Sequence, residues 1–359
     1  MNRVALQASS TPLLHQHDVA LLDLDGVVYV GSDAVAGVPE IIAAATEAGM
    51  RFGYVTNNAS RTPHEVGEHL RDLGIAAIDD EVITSSQAAS RVLAERLPPG
   101  SPVLIVGTAA LAAEVESAGL RAVWSATDDP AGVAQGYSPE LSWAMLAEAC
   151  VAVRAGAFWV ATNADSTLPS PRGPLPGNGS FVEVVARTTG VTPVVAGKPE
   201  PAMHTECVLR TGAAQPLVVG DRLDTDIEGA QRAGVPSLLV LTGVAQPADL
   251  LTARVGQRPT YLAADLGGIL VSHPEVVLSA GAAICGDWRV TDRGDSLLLA
   301  RFRDTGGSGH PASPASSGAD CDALRALAVL AWETGIVPTV AGDQTSAAML
   351  TRLGLASGD

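Results

Sequence analysis

Short apolar segments alternate with stretches of helical periodicity along most of this chain. The apolar segments are Val19–Leu24, Phe52–Thr56, Val103–Val106, Phe158–Ala161, Leu217–Val219 and Leu238–Leu241. Helical periodicity separates them, over Val38–Ala48, Pro63–Leu73, Ser85–Leu97, Pro139–Ala155, Pro201–Arg210 and Leu223–Ala233. Strands that alternate with helices predict an α/β fold built on a parallel sheet. In such sheets, functional residues are expected at the carboxyl ends of the strands.

The charge of the chain limits its partners. It carries 22 basic and 39 acidic residues, a net charge of −17, and this charge is repelled by nucleic acid and by anionic membranes. The four cysteines are scattered, with no metal-binding spacing. No apolar run approaches the roughly 20 residues of a membrane helix, and we see no secretory signal. We therefore expect a cytoplasmic protein with neither a nucleic-acid nor a membrane partner.

Acidic residues follow two of the predicted strands. Asp23 and Asp25 stand at i and i+2, at the end of the first strand, and start on the same side of it. Asp221, Asp224 and Asp226 crowd the end of the Leu217–Val219 strand. Acids at the end of an apolar strand are costly unless a cation or hydrogen bonds compensate, and Mg²⁺ prefers oxygen ligands. The alternatives are a solvated turn for the first pair and a helix start for the second group.

Two further strand ends carry groups that can bind an anion. The segment Thr56-Asn57-Asn58 offers a hydroxyl, two amides and backbone N–H groups that could form an anion nest. Lys198 follows Gly197 after another predicted strand and could lie against a phosphate. Taken singly, the first segment is equally explained as the cap of the next helix, and the lysine as part of a surface turn.

The four signals occur together and in a fixed order, each at a strand end. The order DLDGV, strand-end Thr, Lys and GDxxxTD resembles the haloacid dehalogenase superfamily over about residues 18 to 272. TNNASR, ITSS, GKP and GDRLDTDI are similar to the NagD-type phosphatases of that superfamily. The overall layout, with its C-terminal extension, resembles the actinobacterial glycerol 3-phosphate phosphatases.

The resemblance implies a mechanism. Asp23 is the nucleophile that forms an aspartyl-phosphate, and Asp25 is the general acid and base. Mg²⁺ is held by the carboxylates of Asp23 and Asp221 and by the backbone carbonyl of Asp25. The remaining implied site residues bind phosphate (Thr56, Asn57, Asn58, Lys198) or support the site (Asp226, Gly26, Gly220).

The predicted function is hydrolysis of a small phosphate ester, with glycerol 3-phosphate as the expected substrate. Within that class, 2-phosphoglycolate, pyridoxal phosphate and nucleotides stay open. A hypothesis from another class is a ligand-sensing protein with a retained phosphatase core. Full retention of the Asp23, Asp25, Lys198 and Asp221 set argues against it.

Motif spacing predicts the domain organisation. Only 31 residues separate Asp25 from Thr56, whereas 142 separate Thr56 from Lys198. We predict a Rossmann-like core over 18–90 and 194–272, with an inserted αβ cap over 91–193. In the resembled family this is the C2-type cap, an αβ lid over the active site.

The residues after the core form a further predicted unit. Residues 280–359 have the pattern of a small αβ extension that resembles part of a GCN5-type acetyltransferase but lacks its acetyl-coenzyme A loop. We predict a packing or dimerisation module, which leaves a homodimer open.

Composition marks two breaks in the regular pattern. The stretch Leu168–Gly179 is rich in Pro and Gly and predicts an irregular loop, and Asp304–Asp320 predicts a linker. Substrate choice is expected in the cap, where Ala161–Asp165 and the Pro/Gly loop resemble the family's segments near the active site. A purely structural role fits these Asn, Asp and Gly residues equally well.

Overall fold

The computed structural model describes residues 6–168, 172–302 and 316–356. The chain divides into two compact units: the first is made from Met1–Arg51 and Gln215–Asp359, and the second from Phe52–Ala214. This division differs from the predicted domain boundaries, which stay a prediction. Within the described residues, no helix combines the length and the apolar character that crossing a membrane requires.

Strands and helices alternate along both units, and the predicted α/β class is confirmed. The strands, numbered in chain order, are β1 Val19–Asp23, β2 Tyr29–Val30, β3 Asp33–Ala34, β4 Arg51–Thr56, β5 Val82–Thr84, β6 Pro102–Val106, β7 Arg121–Val123, β8 Gly132–Gln135, β9 Phe158–Ala161, β10 Thr167–Leu168, β11 Leu175–Pro176, β12 Val194–Val195, β13 Pro216–Gly220, β14 Ser237–Val240, β15 Tyr261–Ala263, β16 Val277–Ser279, β17 Ala282–Cys285, β18 Trp288–Asp292, β19 Leu297–Arg301 and β20 Thr339–Ala341. The α-helices are α1 Val38–Glu47, α2 Pro63–Asp72, α3 Ser85–Arg96, α4 Ala109–Ser117, α5 Trp143–Arg154, α6 Asn178–Thr189, α7 Pro201–Thr211, α8 Glu228–Ala233, α9 Pro247–Leu251, α10 Ser316–Thr334 and α11 Gln344–Arg352.

Parallel strands form the centre of the first unit. β1 pairs with β13, β13 with β14 and β14 with β15, all in parallel. Residues 19–22 of β1 and all of β14 are buried, which explains why these strands appear as continuous apolar runs in the sequence. The strand ends at Asp23 and Gly220 therefore share one edge of this sheet.

One residue holds both chain segments of the first unit where they flank the second. The Arg51 N–H donates to the Asp18 carbonyl at 3.1 Å, and the Gln215 N–H donates to Asp18 Oδ1 at 2.8 Å. The Arg51 guanidinium lies 3.6 Å from Asp18 Oδ2. The two ends of the intervening segment thus meet at Asp18.

The C-terminal residues of the first unit form a second sheet, in the order β16-β17-β18-β19-β20. Neighbouring strands are antiparallel except β19 and β20. Residues of this sheet and of α10 share one apolar cluster with β14, β15 and α9. Buried Arg325 donates to the Leu262 carbonyl, and Trp332 Nε1 donates to the Leu250 carbonyl at 2.8 Å. The extension is therefore packed onto the strands that precede it.

The second unit contains a parallel five-stranded sheet in the order β12-β9-β8-β6-β7. β4 and β5, which are not part of that sheet, also pair in parallel. The two helices after these strands have capping boxes, Thr62 with Glu65 and Thr84 with Gln87. Each box satisfies backbone N–H groups at a helix start.

A buried carboxylate joins two helices of the second unit. Glu206 on α7 is 1 % exposed and forms ion pairs with Arg91 on α3 and with Arg210, one turn further along α7. Burial raises the pKa of Glu206, but the hydrogen bonds from the two guanidiniums outweigh burial and hold this pKa below its ordinary value of 4.5. The negative charge of Glu206 is thus compensated by two arginines of the same unit.

The structure corrects several sequence-based boundaries. α5 begins at Trp143, after the Ser142 cap, and not at Pro139. The predicted irregular loop contains the end of β10, all of β11 and the first two residues of α6, and residues 169–171 lie outside the described residues. Of the predicted linker, 304–315 lie outside the described residues, whereas 316–320 belong to α10.

Candidate active site

The end of β1 places two carboxylates in different surroundings. Residues 19–22 are buried, Asp23 is half-buried and Asp25 is exposed. Gly26 follows with φ +88°, and its N–H donates to the Tyr29 carbonyl at 2.8 Å. A residue with a side chain rarely adopts this φ, so the tight turn requires glycine. The turn leaves Asp25 accessible while Asp23 faces its acidic neighbours.

Three carboxylates of the first unit form a cluster. Ligand oxygens of Asp23, Asp221 and Asp226 all lie within 4.8 Å of one another. Asp221 is fully buried and Asp226 is 2 % exposed. The N–H of Val244 donates to Asp221 Oδ2 at 2.6 Å, and the N–H of Arg222 donates to Asp226 Oδ2 at 3.1 Å. The π-helical turn Leu223–Ile227 brings Asp226 back beside Asp221.

Glycines make room for this cluster. A Cβ on Gly26 would lie 2.5 Å from Asp221 Oδ2, and one on Gly243 would lie 2.6 Å from Asp221 Cγ. A Cβ on Gly220 would lie 2.5 Å from Asp226 Oδ2. Buried carboxylates at this separation repel one another unless a cation is present, and an all-oxygen set suits Mg²⁺. The residues present therefore fit a bound Mg²⁺.

The predicted metal residues fall partly in the cluster. Asp23 and Asp221 belong to it, whereas Asp25 was expected to contribute its backbone carbonyl. Asp226 was predicted to support the site, yet its carboxylate lies among the candidate ligands. The assignment of ligands stays a prediction.

The segment after β4 forms a compact turn in the second unit. Thr56 is buried, and its hydroxyl accepts a hydrogen bond from the Asn58 N–H at 3.0 Å. The Asn58 carboxamide oxygen accepts from the N–H of Ser60 at 2.8 Å and from its hydroxyl at 2.7 Å. The backbone N–H of Asn58 was expected to form part of an anion nest. In the structure it donates to the Thr56 hydroxyl. The phosphate-binding roles of Thr56, Asn57 and Asn58 stay predictions.

The structure brings Asn57 and Lys198 together across 141 residues of chain. The Lys198 N–H donates to Asn57 Oδ1 at 2.8 Å, and Asn57 Nδ2 donates to the Lys198 carbonyl at 3.2 Å. Asn57 Nδ2 also donates to Asp165 Oδ2 at 3.2 Å. The candidate cap segment Ala161–Asp165 therefore contacts Asn57 directly, and Asn57 in turn contacts Lys198.

The same cap segment is packed tightly against the start of α6. The Asn178 side chain donates to the Asn163 carbonyl at 2.8 Å, and the Gly179 N–H donates to the Asp165 carbonyl at 2.9 Å. A Cβ on Gly177 would lie 3.0 Å from the Thr167 nitrogen. These contacts give the Asn and Gly residues of the predicted loop a structural role, while Asp165 also contacts Asn57.

Comparison with known proteins identifies the family. The model of the haloacid dehalogenase-like hydrolases matches residues 20–121, and a HAD-hydrolase-like model matches residues 195–269. A D-glycerol 3-phosphate phosphatase of Mycobacterium tuberculosis is 47 % identical over 287 residues, which are 80 % of this chain and 79 % of that protein. This chain belongs to the haloacid dehalogenase-like hydrolases.

Other proteins that are similar to this chain are also named phosphatases. An acid sugar phosphatase of Staphylococcus aureus is 36 % identical over 70 % of this chain and 96 % of its own length. The crystal structure of a glycerol phosphate phosphatase from M. tuberculosis with magnesium superposes with a TM-score of 0.85 and 42 % identity, covering 96 % of this chain and 99 % of that one. A 4-nitrophenylphosphatase from Thermotoga maritima gives a TM-score of 0.66 at 31 % identity, covering 72 % of this chain and 98 % of that one. The predicted family and enzyme class, a phosphoric monoester hydrolase, are confirmed.

Sequence reasoning missed three residues of these networks as individual participants. Gly243 follows β14 and approaches Asp221, but a lone glycine after a strand gives no signal of its own. Asn163 and Asp165 were flagged only as part of a segment. Composition singles out the lysine, because Lys198 is the only lysine in the chain and the other 21 of the 22 basic residues are arginine.

Proposed function

We propose that this hydrolase is a Mg²⁺-dependent phosphatase that converts glycerol 3-phosphate to glycerol and inorganic phosphate. The observation that carries the proposal is the cluster of half-buried Asp23 with buried Asp221 and Asp226, whose carboxylate oxygens lie within 4.8 Å of one another. The similarity to a D-glycerol 3-phosphate phosphatase supports the choice of substrate.

A few of this chain's oxygens would hold the metal. The carboxylates of Asp23 and Asp221 and the backbone carbonyl of Asp25 are the proposed ligands, with Asp226 in support. When bound, Mg²⁺ offsets the repulsion between the nucleophilic carboxylate and the phosphate dianion.

Asp23 and Asp25 divide the chemistry. A carboxylate oxygen of Asp23 attacks phosphorus, and the bond from phosphorus to the glycerol oxygen breaks as Asp25 gives that oxygen its proton. Asp25 then takes a proton from a water molecule, whose oxygen attacks the phosphorus of the aspartyl-phosphate. The bond to Asp23 breaks, inorganic phosphate leaves, and both carboxyl groups return to their starting states. The exposure of Asp25 suits a group that exchanges protons with substrate and water.

The phosphoryl oxygens are bound by the hydroxyl of Thr56 and by Lys198, with Asn57 alongside. A hydroxyl and an ammonium group supply hydrogen bonds and positive charge where negative charge accumulates. In a chain with a net charge of −17, this positive charge and the metal ion favour an anionic substrate locally.

We propose further that the enzyme acts in the cytoplasm, without nucleic-acid or membrane partners. The large excess of acidic residues supports the absence of nucleic-acid and anionic-membrane partners. A homodimer is the first oligomeric state to test, by sedimentation of the purified chain.

The deciding experiment measures phosphate release from a panel of esters. The panel contains both enantiomers of glycerol 3-phosphate, 2-phosphoglycolate, pyridoxal phosphate and nucleoside monophosphates, each with Mg²⁺ or with EDTA. We expect release that requires Mg²⁺, is fastest with glycerol 3-phosphate and is lost in Asp23→Asn.

Two results would change the proposal. Faster turnover of another ester would keep the mechanism and move the substrate assignment to that ester. No Asp23-dependent release from any ester would reject the phosphatase and leave the ligand-sensing hypothesis.

A further inference from the structure

The side chain of Asn57 is fully engaged by protein groups. A carboxamide has one oxygen that accepts and one NH₂ group that donates two hydrogen bonds. Here the oxygen accepts from the Lys198 N–H, and the two N–H bonds are directed at the Lys198 carbonyl and at Asp165 Oδ2. A phosphate oxygen accepts hydrogen bonds, and both N–H donors of this carboxamide are already used by protein acceptors.

The orientation of this carboxamide follows from its partners. Rotating it by 180° would set its oxygen against the Lys198 carbonyl and the Asp165 carboxylate, which are both acceptors. The backbone around it is held as well, because the Asn57 carbonyl accepts from Ser85 Oγ at 2.6 Å and from Asn163 Nδ2 at 2.7 Å. The position of Asn57 is therefore fixed from several directions.

The backbone at Lys198 is shaped to receive this carboxamide. A Cβ on Gly197 would lie 2.6 Å from Asn57 Oδ1, so a side chain there would displace the amide. The carboxamide then bonds both the N–H and the carbonyl of Lys198, which fixes the main chain from which the ammonium group extends. A flexible lysine side chain is only as well placed as the backbone that carries it.

We propose that Asn57 is a positioning residue for Lys198 and not a phosphate ligand, and that Asp165 fixes the orientation of Asn57. The inference rests on the proposed phosphatase function, in which Lys198 binds the phosphoryl group. The inference links the candidate cap segment Ala161–Asp165 to the reaction through Lys198.

The single lysine permits a direct test of this contact. Protein labelled with ¹⁵N-lysine gives one lysine backbone amide peak, that of Lys198. In Asn57→Ala we expect this peak to move upfield in the proton dimension and its hydrogen exchange to accelerate, because the amide loses its acceptor. The matched control is Asn58→Ala, whose side chain bonds Ser60, and it should leave the peak in place. An unmoved peak in Asn57→Ala would overturn the inference.

A double-mutant cycle tests the functional part. We expect Asn57→Ala to lower kcat/KM about 10–100-fold in the wild-type background, but less than about 3-fold in a Lys198→Ala background. The same pattern should hold for the affinity of inorganic phosphate with Mg²⁺ present, measured by calorimetry, which does not depend on residual turnover. Losses that multiply would show that Asn57 contacts phosphate independently of Lys198, and would overturn the inference.

A charge exchange covers the case in which Asn57→Ala fails to fold. Asn57→Asp keeps an acceptor for the Lys198 N–H but places a carboxylate against Asp165. Adding Asp165→Asn should recover at least about 5-fold of the lost kcat/KM, because it restores a donor between the two side chains. No recovery would contradict the role of Asp165. A wild-type chain without Mg²⁺-dependent turnover would reject the proposed function together with this inference, whereas an active wild type with multiplying losses would reject the inference alone.

Discussion

Two acidic sites in this hydrolase, each with buried carboxylates, are organised in opposite ways. Glu206 lies between two guanidiniums of its own unit, and its pKa is lowered by them despite burial. Asp23, Asp221 and Asp226 are instead grouped with one another, and glycines allow them to approach. A structural carboxylate is thus offset by fixed cations of the chain, whereas the carboxylates of the candidate active site form an oxygen-ligand set that suits an exchangeable cation. The contrast predicts that stability and activity respond separately to changes at the two sites.

The largest difference between the effect on activity and the effect on stability is expected for Asp23→Asn. This change removes the nucleophile, and we expect kcat to fall by at least about 10⁴-fold. It also removes one of three neighbouring negative charges, so in EDTA the melting temperature should stay the same or rise. Phosphate-release assays and calorimetric unfolding of the same sample check both. A variant that is less stable in EDTA would show that Asp23 is held as a structural group.

The second prediction concerns the room that glycine leaves beside Asp221. Gly243→Ala places a methyl group against this carboxylate, and we expect Mg²⁺ affinity to fall about 10–100-fold, as for other changes that displace a ligand. Magnesium titration of activity and of calorimetric binding measures the effect. The matched control is Gly256→Ala, since a Cβ there meets no atom within 4 Å. Equal Mg²⁺ affinities in both variants would remove Gly243 from the site.

Glu206→Gln should act on stability alone. The change leaves two guanidiniums without their shared carboxylate, and both are partly exposed, so the cost is about 2 kcal/mol of unfolding free energy, below the roughly 3–5 kcal/mol of a fully buried pair. Denaturant unfolding in EDTA gives the free energy, and kcat should remain within about 2-fold of the wild type. A large fall in kcat with unchanged stability would reverse the contrast.

The smallest effect is a dependence of stability on pH. Because the folded pKa of Glu206 lies below its ordinary value of 4.5, the stability that this group contributes is present above pH 4.5 and is lost as the pH falls through the folded pKa. The difference in unfolding free energy between wild type and Glu206→Gln should therefore be constant near neutral pH and shrink below pH 4.5. A difference that grew on acidification would mean that the sign of the pKa shift is wrong.

Several strands beside the motifs could be predicted because they are largely buried and apolar. β1, β4 and β9 lie within one residue of their predicted limits for this reason. β8 was missed because Gly132–Gln135 contains little apolar sequence, although all of it is buried. Its glycine allows Leu93 and Leu97 to pack closely, with Leu93 Cδ2 3.0 Å from a Cβ placed there, and this is a tertiary requirement that local composition cannot reveal.

The residue types of the candidate site could be predicted from the sequence, but the hydrogen-bond partners of its side chains could not. Asp23 and Asp221 follow from acids at the strand ends of one parallel sheet, and Lys198 from a lysine after a strand of another. The direction of the Asn57 side chain depends on hydrogen bonds to residues more than 100 positions away. Sequence spacing does not specify which of several nearby donors and acceptors a carboxamide will meet.

Asp18 closes the chain on either side of a 163-residue excursion, since it bonds both Arg51 and Gln215. Once the ends of such a loop are fixed, the free energy of closing it depends only weakly on its length, with about 0.6 kcal/mol for each doubling. Evolution could therefore lengthen or shorten the intervening segment while the pairing of β1 with β13, and with it the acidic cluster, stays intact. The acidic cluster and the length of the segment between its two chain stretches would then be inherited at different rates.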